Sequence, residues 1–440
     1  MIQPPASAPP STRRCCDVKA LLASIPTAVL PLSLTTVNLG SMWLAAHKFE
    51  SVPSLPLDVV SSIFDVCATI ALLQLSAMAF KCVSHGASWT LREHSAPATA
   101  PAFAAGFMAW LSLAGWLHTI RGASHLAIAV WFLALALLVF NQCVFLRSVF
   151  KLLREGSRQI PSLSLFSAFK KDAVPPWFVP LVGVSAATVS GGGLVRFLFE
   201  DYSPTLVRIC LYFPIALGAF WLILLLLPLW YLSWSKKTLF SKPPSAILMA
   251  PPAIVLAGWR GATVDSAAAS LDHHESALTH ILAVLTLLAA LPIVPCVPNY
   301  LFGSTFGCSC CRRDSNAGCL STCFQPYSSQ FDPKIATVGF PLEISAIALI
   351  QYQQLAKHVS GAASFHYWLF RISAWVLLGT ATIGALVILW KFAFAGIRAV
   401  WKAVTTGVEE GGAGGAAAAG GGGGTRTVAV DHTSLAPEVL

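Results

Sequence analysis

Charged residues are scarce in this chain of 440 residues: only 11% are Asp, Glu, Lys or Arg, and only 19 residues are acidic. A soluble domain has about 25% charged residues. Hydrophobic residues make up 56% of the sequence, and the mean hydropathy is +0.70. This composition excludes an ordinary water-soluble globular domain and predicts a membrane protein.

Motifs of soluble enzymes are missing as well. The sequence contains no P-loop, no G-x-S-x-G motif and no zincin motif. The segments between its apolar stretches are too short for a soluble catalytic domain. The first 20 residues lack the apolar core of a signal peptide. We therefore expect no enzyme, no cofactor and no metal, and a first apolar stretch that stays in the membrane.

Apolar stretches of the length that crosses a bilayer, ~20 residues, divide the chain. We expect ten of them, at 21–46, 58–80, 101–119, 123–146, 175–198, 205–233, 244–260, 277–298, 332–353 and 367–390. The predicted fold class is an all-α polytopic membrane protein with ten transmembrane helices.

The distribution of basic residues predicts the orientation. With the N-terminus in the cytoplasm, 21 of the 28 Lys and Arg residues lie on the inner side and 7 on the outer side. Cytoplasmic loops carry such an excess, so the net charge of +9 indicates topology and not nucleic-acid binding. We expect a cytoplasmic N-terminal tail at 1–20, a membrane domain at 21–400 and a cytoplasmic tail at 401–440, with Gly/Ala-rich disorder from about residue 407.

Proline and glycine occur inside every odd-numbered stretch. Helices interrupted at membrane depth are tolerated where the freed backbone groups line protein or a wet cavity. The pattern predicts an inner ring of broken odd helices around a pathway and an outer ring of even helices. The pore-lining or kink candidates are Pro31, Pro180, Gly183, Pro251, Pro252, Gly339 and Pro341. Stretches 6 and 8 also contain proline, and the alternative is the general enrichment of proline in membrane helices.

Three segments carry a resemblance to a known family. FVPLVG (178–183), MAPPAIVLAGW (249–259) and GFPLEISAIALIQY (339–352) resemble the tellurite-resistance/dicarboxylate transporter family. That family includes fungal malate permeases, sulfite efflux pumps and the slow-type anion channels of plant guard cells. The resemblance implies five helical hairpins, odd helices around a central pore, even helices outside, and a homotrimer with one pore per subunit.

The resemblance also implies a gate. In the family an aromatic residue of the ninth span closes the pore midway, and its position matches Phe340. A benzyl group in a narrow pore blocks an ion by excluding water, and a change of rotamer opens it. The alternative is that Phe340, one of 26 Phe residues, only packs.

A fixed cation inside the pathway does not explain a preference for anions, because the central parts of the odd stretches hold no Lys or Arg. Positive helix ends and backbone N–H groups attract anions. The basic cytoplasmic rim concentrates them at the mouth. Hydroxyl groups are further candidate donors, on Thr35, Thr36, Ser185 and Thr188.

Two acidic residues lie inside the apolar stretches, Asp65 in the second and Glu343 one turn after Phe340. Intramembrane carboxyl groups often mark ion or proton routes. A protonatable group beside the gate suits proton-coupled transport or pH gating. The alternative is that Glu343 bonds to a neighbouring helix or pairs with Arg208 or Arg371.

Cysteine and histidine clusters lie in the loops. Thiols between Cys308 and Cys323 have a spacing that fits no standard zinc pattern, and metal binding, acylation and plain thiols all remain open. Cys15 and Cys16 are candidate palmitoylation sites. We interpret His273, His274 and His280 as exposed residues at the start of a helix.

The function that fits these features is an anion channel or permease for chloride, nitrate, sulfite or malate. The alternatives are a proton-coupled dicarboxylate or sulfite transporter and, from another class, a receptor that does not transport. The expected partners are small anions, the lipid bilayer and two further copies of the chain, with no nucleic acid. The resemblance implies the plasma membrane.

Overall fold

The structure, a computed structural model, describes residues 25–49, 55–159, 174–199, 203–235, 243–263, 273–302, 333–361 and 363–413. All regular secondary structure in these residues is helical. The helices are α1 (Val29–Lys48), α2 (Leu57–Ser95), α3 (Ala100–Thr119), α4 (Ser124–Gln159), α5 (Pro175–Phe199), α6 (Pro204–Ser235), α7 (Pro243–Thr263), α8 (His273–Ala290, continued by Val297–Phe302), α9 (Ala336–Ser360) and α10 (Phe365–Ala413).

Nine helices in these ranges are long and apolar enough to cross a membrane. At 1.5 Å per residue, the 20 residues of α1 extend about 30 Å, the thickness of the hydrocarbon core. These helices confirm an all-helical, multi-pass membrane protein. The remaining long helix, α9, carries Glu343 and several glutamines. It tolerates them because it is surrounded by protein, and its residues 338–350 are all buried.

Burial divides the helices into two groups. In the most apolar parts of α1, α3, α5 and α7, 67–89% of the residues are buried, against 28–39% for α2, α4, α6, α8 and α10. We call α1, α3, α5, α7 and α9 the core helices and the others the peripheral helices. Large exposed apolar side chains in the described residues belong almost entirely to the peripheral helices, with Phe197 and Val359 as exceptions. Such a surface suits lipid contact.

The core helices form a closed ring. α1 packs against α3 and α9, α5 packs against α3 and α7, and α7 packs against α9. Each core helix also packs against the peripheral helix that follows it, which gives five helical hairpins. The chain reverses at Gly122 between α3 and α4 and at Gly361 between α9 and α10, where φ values of 64° and 78° favour glycine.

Helix breaks are fewer in the core than the sequence suggests. α1, α3 and α9 are continuous, whereas α5 is interrupted by a 3-10 turn at Gly183–Ser185 and α7 begins as a 3-10 segment at Pro243–Met249. Most of the core prolines lie in the first turn of an α-helical segment, where a backbone N–H has no intrahelical partner. Pro31 is the third residue of α1, and Pro251 and Pro252 are the second and third of Ala250–Thr263. Pro31 thus begins α1, whereas Pro251 and Pro252 lie in the middle of α7, where its 3-10 segment passes into the α-helical one. Pro341 lies inside the continuous helix α9.

The last helix extends further than expected. α10 continues to Ala413, so residues 401–413, assigned to the disordered tail from sequence, continue the helix. The segment WKAVTT lacks proline and glycine and so does not stop it. Residues 1–24 and 414–440, which hold both expected tails, lie outside the described residues.

Candidate functional site

All five core helices begin at one cavity. The cavity is partly enclosed, has a volume of about 170 Å³, and is lined by the first turns of these helices and the residues just before them. Its walls are Pro26, Thr27, Ala28, Pro31 and Leu34 from α1, Ala98, Pro101, Ala102 and Ala105 from α3, Pro176 and Val179 from α5, Ile247 from α7, and Lys334, Ala336, Thr337, Phe340 and Pro341 from α9. The core helices are therefore parallel, and their positive ends meet at this cavity.

Proline changes how these helix ends act on an anion. Pro31, Pro101 and Pro176 line the cavity and carry no backbone N–H. The N–H groups of Val29 and Leu30 are already bonded to the carbonyl oxygens of Pro26 and Thr27, at 3.1 and 3.0 Å. The helix ends thus supply a positive field with few N–H donors, which attracts an anion without holding it tightly.

Lys334 brings a basic residue to the cavity. It stands in the 3-10 turn Pro333–Ile335 that leads into α9, and its side chain lines the cavity wall. The Thr337 hydroxyl donates to the Lys334 carbonyl oxygen at 2.7 Å, which fixes this turn. From the sequence, Lys334 counts only as one of the basic residues of the cytoplasmic side; that it faces the cavity follows from the ring of helices.

Phe340 and Pro341 are the cavity-lining residues of α9 furthest from its start. Phe340 is only 7% exposed. A nearly buried benzyl ring on a core helix thus forms part of the cavity wall.

Close contact between α1 and α9 fixes the backbone beside this ring. A Cβ atom added to Gly339 would lie 2.3 Å from Cγ2 and 2.6 Å from Oγ1 of Thr35. The Thr35 hydroxyl also lies 3.5 Å from the Ala336 carbonyl oxygen. Glycine at 339 therefore allows the two helices to touch next to Phe340.

This contact predicts a stability effect. Gly339→Ala is expected to lower the free energy of unfolding by about 1–3 kcal/mol, because the new methyl group overpacks against a stiff β-branched side chain. Thr35→Ala in the same background should recover part of that loss. Gly379→Ala in α10 is the matched control, since a Cβ there meets no atom within 4 Å. Thermal unfolding of the purified protein in detergent measures both effects, and equal losses at the two sites would contradict the contact.

The two acidic residues have different surroundings. Glu343 is fully buried, and neither carboxyl oxygen has a hydrogen-bond partner in the described residues. Its suggested partners lie elsewhere: Arg371 donates to the Tyr367 hydroxyl at 2.9 Å, and Arg208 is exposed.

Asp65, by contrast, is paired. Its Oδ1 atom accepts from Trp116 Nε1 at 2.9 Å and lies 3.0 Å from Nη2 of Arg121. Trp116 belongs to the last turns of α3, so this group lies near the end of the ring opposite the cavity. The structure does not bring Asp65 together with Phe340.

The other candidate residues separate into two sets. Pro31, Phe340 and Pro341 line the cavity, whereas Pro180, Gly183, Pro251 and Pro252 are buried elsewhere in the core, and no residue in either set faces lipid. Two of the suggested hydroxyl donors bridge α5 to α6: Ser185 donates to the Pro214 carbonyl oxygen and Thr188 to that of Leu211, both at 3.0 Å.

The cysteine cluster lies outside the described residues, whereas His273 and His274 begin α8, as the sequence predicts, and His280 is half-buried where exposure was expected. The segment from Cys308 to Cys323 and the pair Cys15 and Cys16 lie among the undescribed residues. His280 is described, and its Nδ1 contacts the hydroxyl of Tyr352, which lies 2.8 Å from Nε2 of His366. Within the described ranges, no group of three or more His, Cys, Asp and Glu residues is placed to hold a metal ion.

Comparisons with known proteins add no name to this site. Models of known protein families give no match to the chain, and a search of curated proteins gives none either.

Proposed function

We propose that this chain is an anion channel or permease of the type found in the tellurite-resistance/dicarboxylate transporter family. It moves small anions such as chloride, nitrate, sulfite or malate along the axis of the core-helix ring, with Phe340 as the gate. One observation carries the proposal: the five core helices begin at a single cavity, and both Lys334 and Phe340 line it.

The chemistry of the cavity suits conduction. An ion pathway must attract its ion strongly enough for entry and weakly enough for release. The helix ends and Lys334 attract an anion through their field. The mostly apolar walls offer few groups to replace the hydration shell of the anion, so the anion is released fast. A singly charged anion loses less hydration energy on entering than a malate dianion does, so singly charged anions are favoured.

The proposal includes an orientation and an assembly. The cavity end faces the cytoplasm, as the excess of basic residues there predicts, and both termini lie on that side. α9, the ninth helix in sequence, also spans the membrane and brings the number of spans to ten, and its polar residues lie within the ring. Because the ring closes within one chain, each subunit of a homotrimer in the plasma membrane holds its own pathway.

Voltage clamp of oocytes tests the proposal. Oocytes that express the chain should carry currents that reverse near the equilibrium potential of chloride or nitrate when that anion is varied. A receptor without transport has the same helices and no such current. Absence of current for chloride, nitrate and malate at verified surface expression would contradict the proposal.

A second candidate, a proton-coupled dicarboxylate or sulfite transporter, is favoured by Glu343. A buried carboxyl group without a hydrogen-bond partner, three residues after Phe340, suits reversible protonation during transport.

Uptake of labelled malate at two pH values tests this candidate. In a proton-coupled transporter, Glu343→Gln should abolish the pH dependence of uptake, because the amide has the same shape and no titratable proton. Asp65→Asn is the control and should keep the pH dependence, since Asp65 is paired with Arg121. Identical pH profiles for the Glu343→Gln variant and the original chain would exclude the proton role.

A further inference from the structure

The ends of the core helices opposite the cavity are expected to repel an anion. All five helices are parallel, so their negative C-terminal ends gather there. Basic residues occupy the last turns: Lys48 in α1, His118 in α3, Arg196 in α5 and Arg260 in α7. α9 carries Lys357 close to its end. These side chains offset the negative helix ends.

Arg260 differs from the others because it is buried and two of its guanidinium nitrogens have no hydrogen-bond partner among the described residues. It is 7% exposed, and the two nitrogens are Nε and Nη1. Arg196 donates from Nη2 to the Ala262 carbonyl oxygen at 2.6 Å, His118 Nδ1 lies 3.0 Å from the Ser124 hydroxyl, and Lys48 is exposed.

A charge in this position requires compensation. Burying a guanidinium group without a counter-charge is costly, and helices tolerate it where an ion or a partner completes the site. The ion pairs Arg121 with Asp65 and Lys151 with Glu155 do not include Arg260. The buried N–H groups are suited to an anion that comes from solution.

Arg260 belongs to a helix that is buried along most of its length. α7 has the largest buried share of the nine apolar helices found in the described residues, 89%. A Cβ atom on Gly258 would lie 3.1 Å from the Ser185 carbonyl oxygen, and one on Gly261 would lie 3.0 Å from that of Thr188, so α7 packs closely on α5 here. α7 also packs on α9. Arg260 is thus held between neighbouring core helices near the end opposite the cavity.

We propose that the Arg260 guanidinium binds a small inorganic monovalent anion such as chloride or nitrate, as a second anion site at the end of the ring opposite the cavity. Its role in transport rests on the proposed function, whereas binding itself does not. Together with Lys334, it places a basic residue that an anion can approach near each end of the ring.

Nitrate binding to the purified chain tests the site directly. Nitrate replaces gluconate at constant ionic strength, and the rise in melting temperature is recorded. The original chain should be stabilised by nitrate, Arg260→Gln should lose most of that stabilisation, and Arg260→Lys should keep part of it. Arg208→Gln is the control, because it removes the same charge from an exposed position near the start of α6, and it should behave as the original chain does.

Voltage clamp of the same variants separates the two proposals. Arg260→Gln should raise the half-saturating nitrate concentration on the outer side at least about tenfold, whereas Arg208→Gln changes it less than about twofold. Nitrate binding that depends on Arg260 without any current would support the site and contradict the transport function. Currents and stabilisation that are unchanged in Arg260→Gln would overturn the site.

Asp265 is the acidic residue nearest to Arg260 in the sequence, and it lies among the undescribed residues 264–272. Its substitution tests whether Asp265 is the partner of Arg260. Under the proposal, Asp265→Asn leaves nitrate binding intact. If Asp265 were the partner of Arg260, its removal would strengthen nitrate binding by freeing the guanidinium, and that result would overturn the assignment of Arg260 as an open site.

Discussion

Phe340→Ala is expected to raise anion conductance by about tenfold or more and to make it less dependent on the opening stimulus, because the ring that forms the proposed gate is removed. The cavity of about 170 Å³ would then continue past position 340 towards the middle of the ring. Single-channel recording distinguishes a larger unit conductance from a larger number of open channels.

Phe370→Ala is the matched control for this variant. Phe370 is buried on α10, 1% exposed, and packs on Tyr352 with 4.6 Å between ring centroids, away from the cavity. Its removal should lower stability without raising conductance. Equal currents in the Phe340→Ala variant and the original chain, at equal surface expression, would show that Phe340 only packs.

Lys334→Glu is expected to lower anion conductance with a strong dependence on salt. Reversing the charge in the cavity changes the local potential by two unit charges, so the loss should be on the order of fivefold at about 0.01 M salt, where charges act over about 30 Å. At about 1 M salt, where the screening length is about 3 Å, the loss should fall below about twofold. Currents recorded at the two salt concentrations measure the difference.

Lys151→Glu is the control for position 334. Lys151 is exposed on α4, outside the cavity lining, and lies 3.9 Å from Glu155. Its reversal adds the same charge to the basic side of the protein and should change the conductance little. Similar losses for both variants would mean that the whole basic rim, and not the cavity, concentrates anions. If Lys334→Glu also keeps anions preferred over cations, the helix ends account for the selectivity.

The division into core and peripheral helices could be predicted, because proline and glycine alternate with plain apolar runs along the chain. The positions of these prolines relative to the helix ends could not be predicted. Pro31 was read as an interruption at membrane depth, whereas it lies in the first turn of α1. Pro251 does lie in the middle of α7, where a 3-10 segment passes into an α-helical one. A stretch of apolar residues does not show at which residue its helix begins. If the helix begins a few residues later than expected, a proline predicted inside the helix lies in its first turn.

The site was partly accessible from sequence. Phe340 was identified through the resemblance, and its neighbour Pro341 through its type. The cavity role of Lys334 and the burial of Arg260 depend on how five helices meet, and the local sequence gives no sign of it. Pairings are equally hidden: Asp65 and Glu343 look alike in sequence, yet Arg121 reaches only Asp65.

The most direct test is the reversal potential of the purified chain in a planar lipid bilayer under a tenfold gradient of potassium chloride. The account predicts that the current of the original chain, and the larger current of Phe340→Ala, reverse near the equilibrium potential of chloride. Reversal near that of potassium, or no current from either protein, would contradict an anion pathway through the core-helix ring.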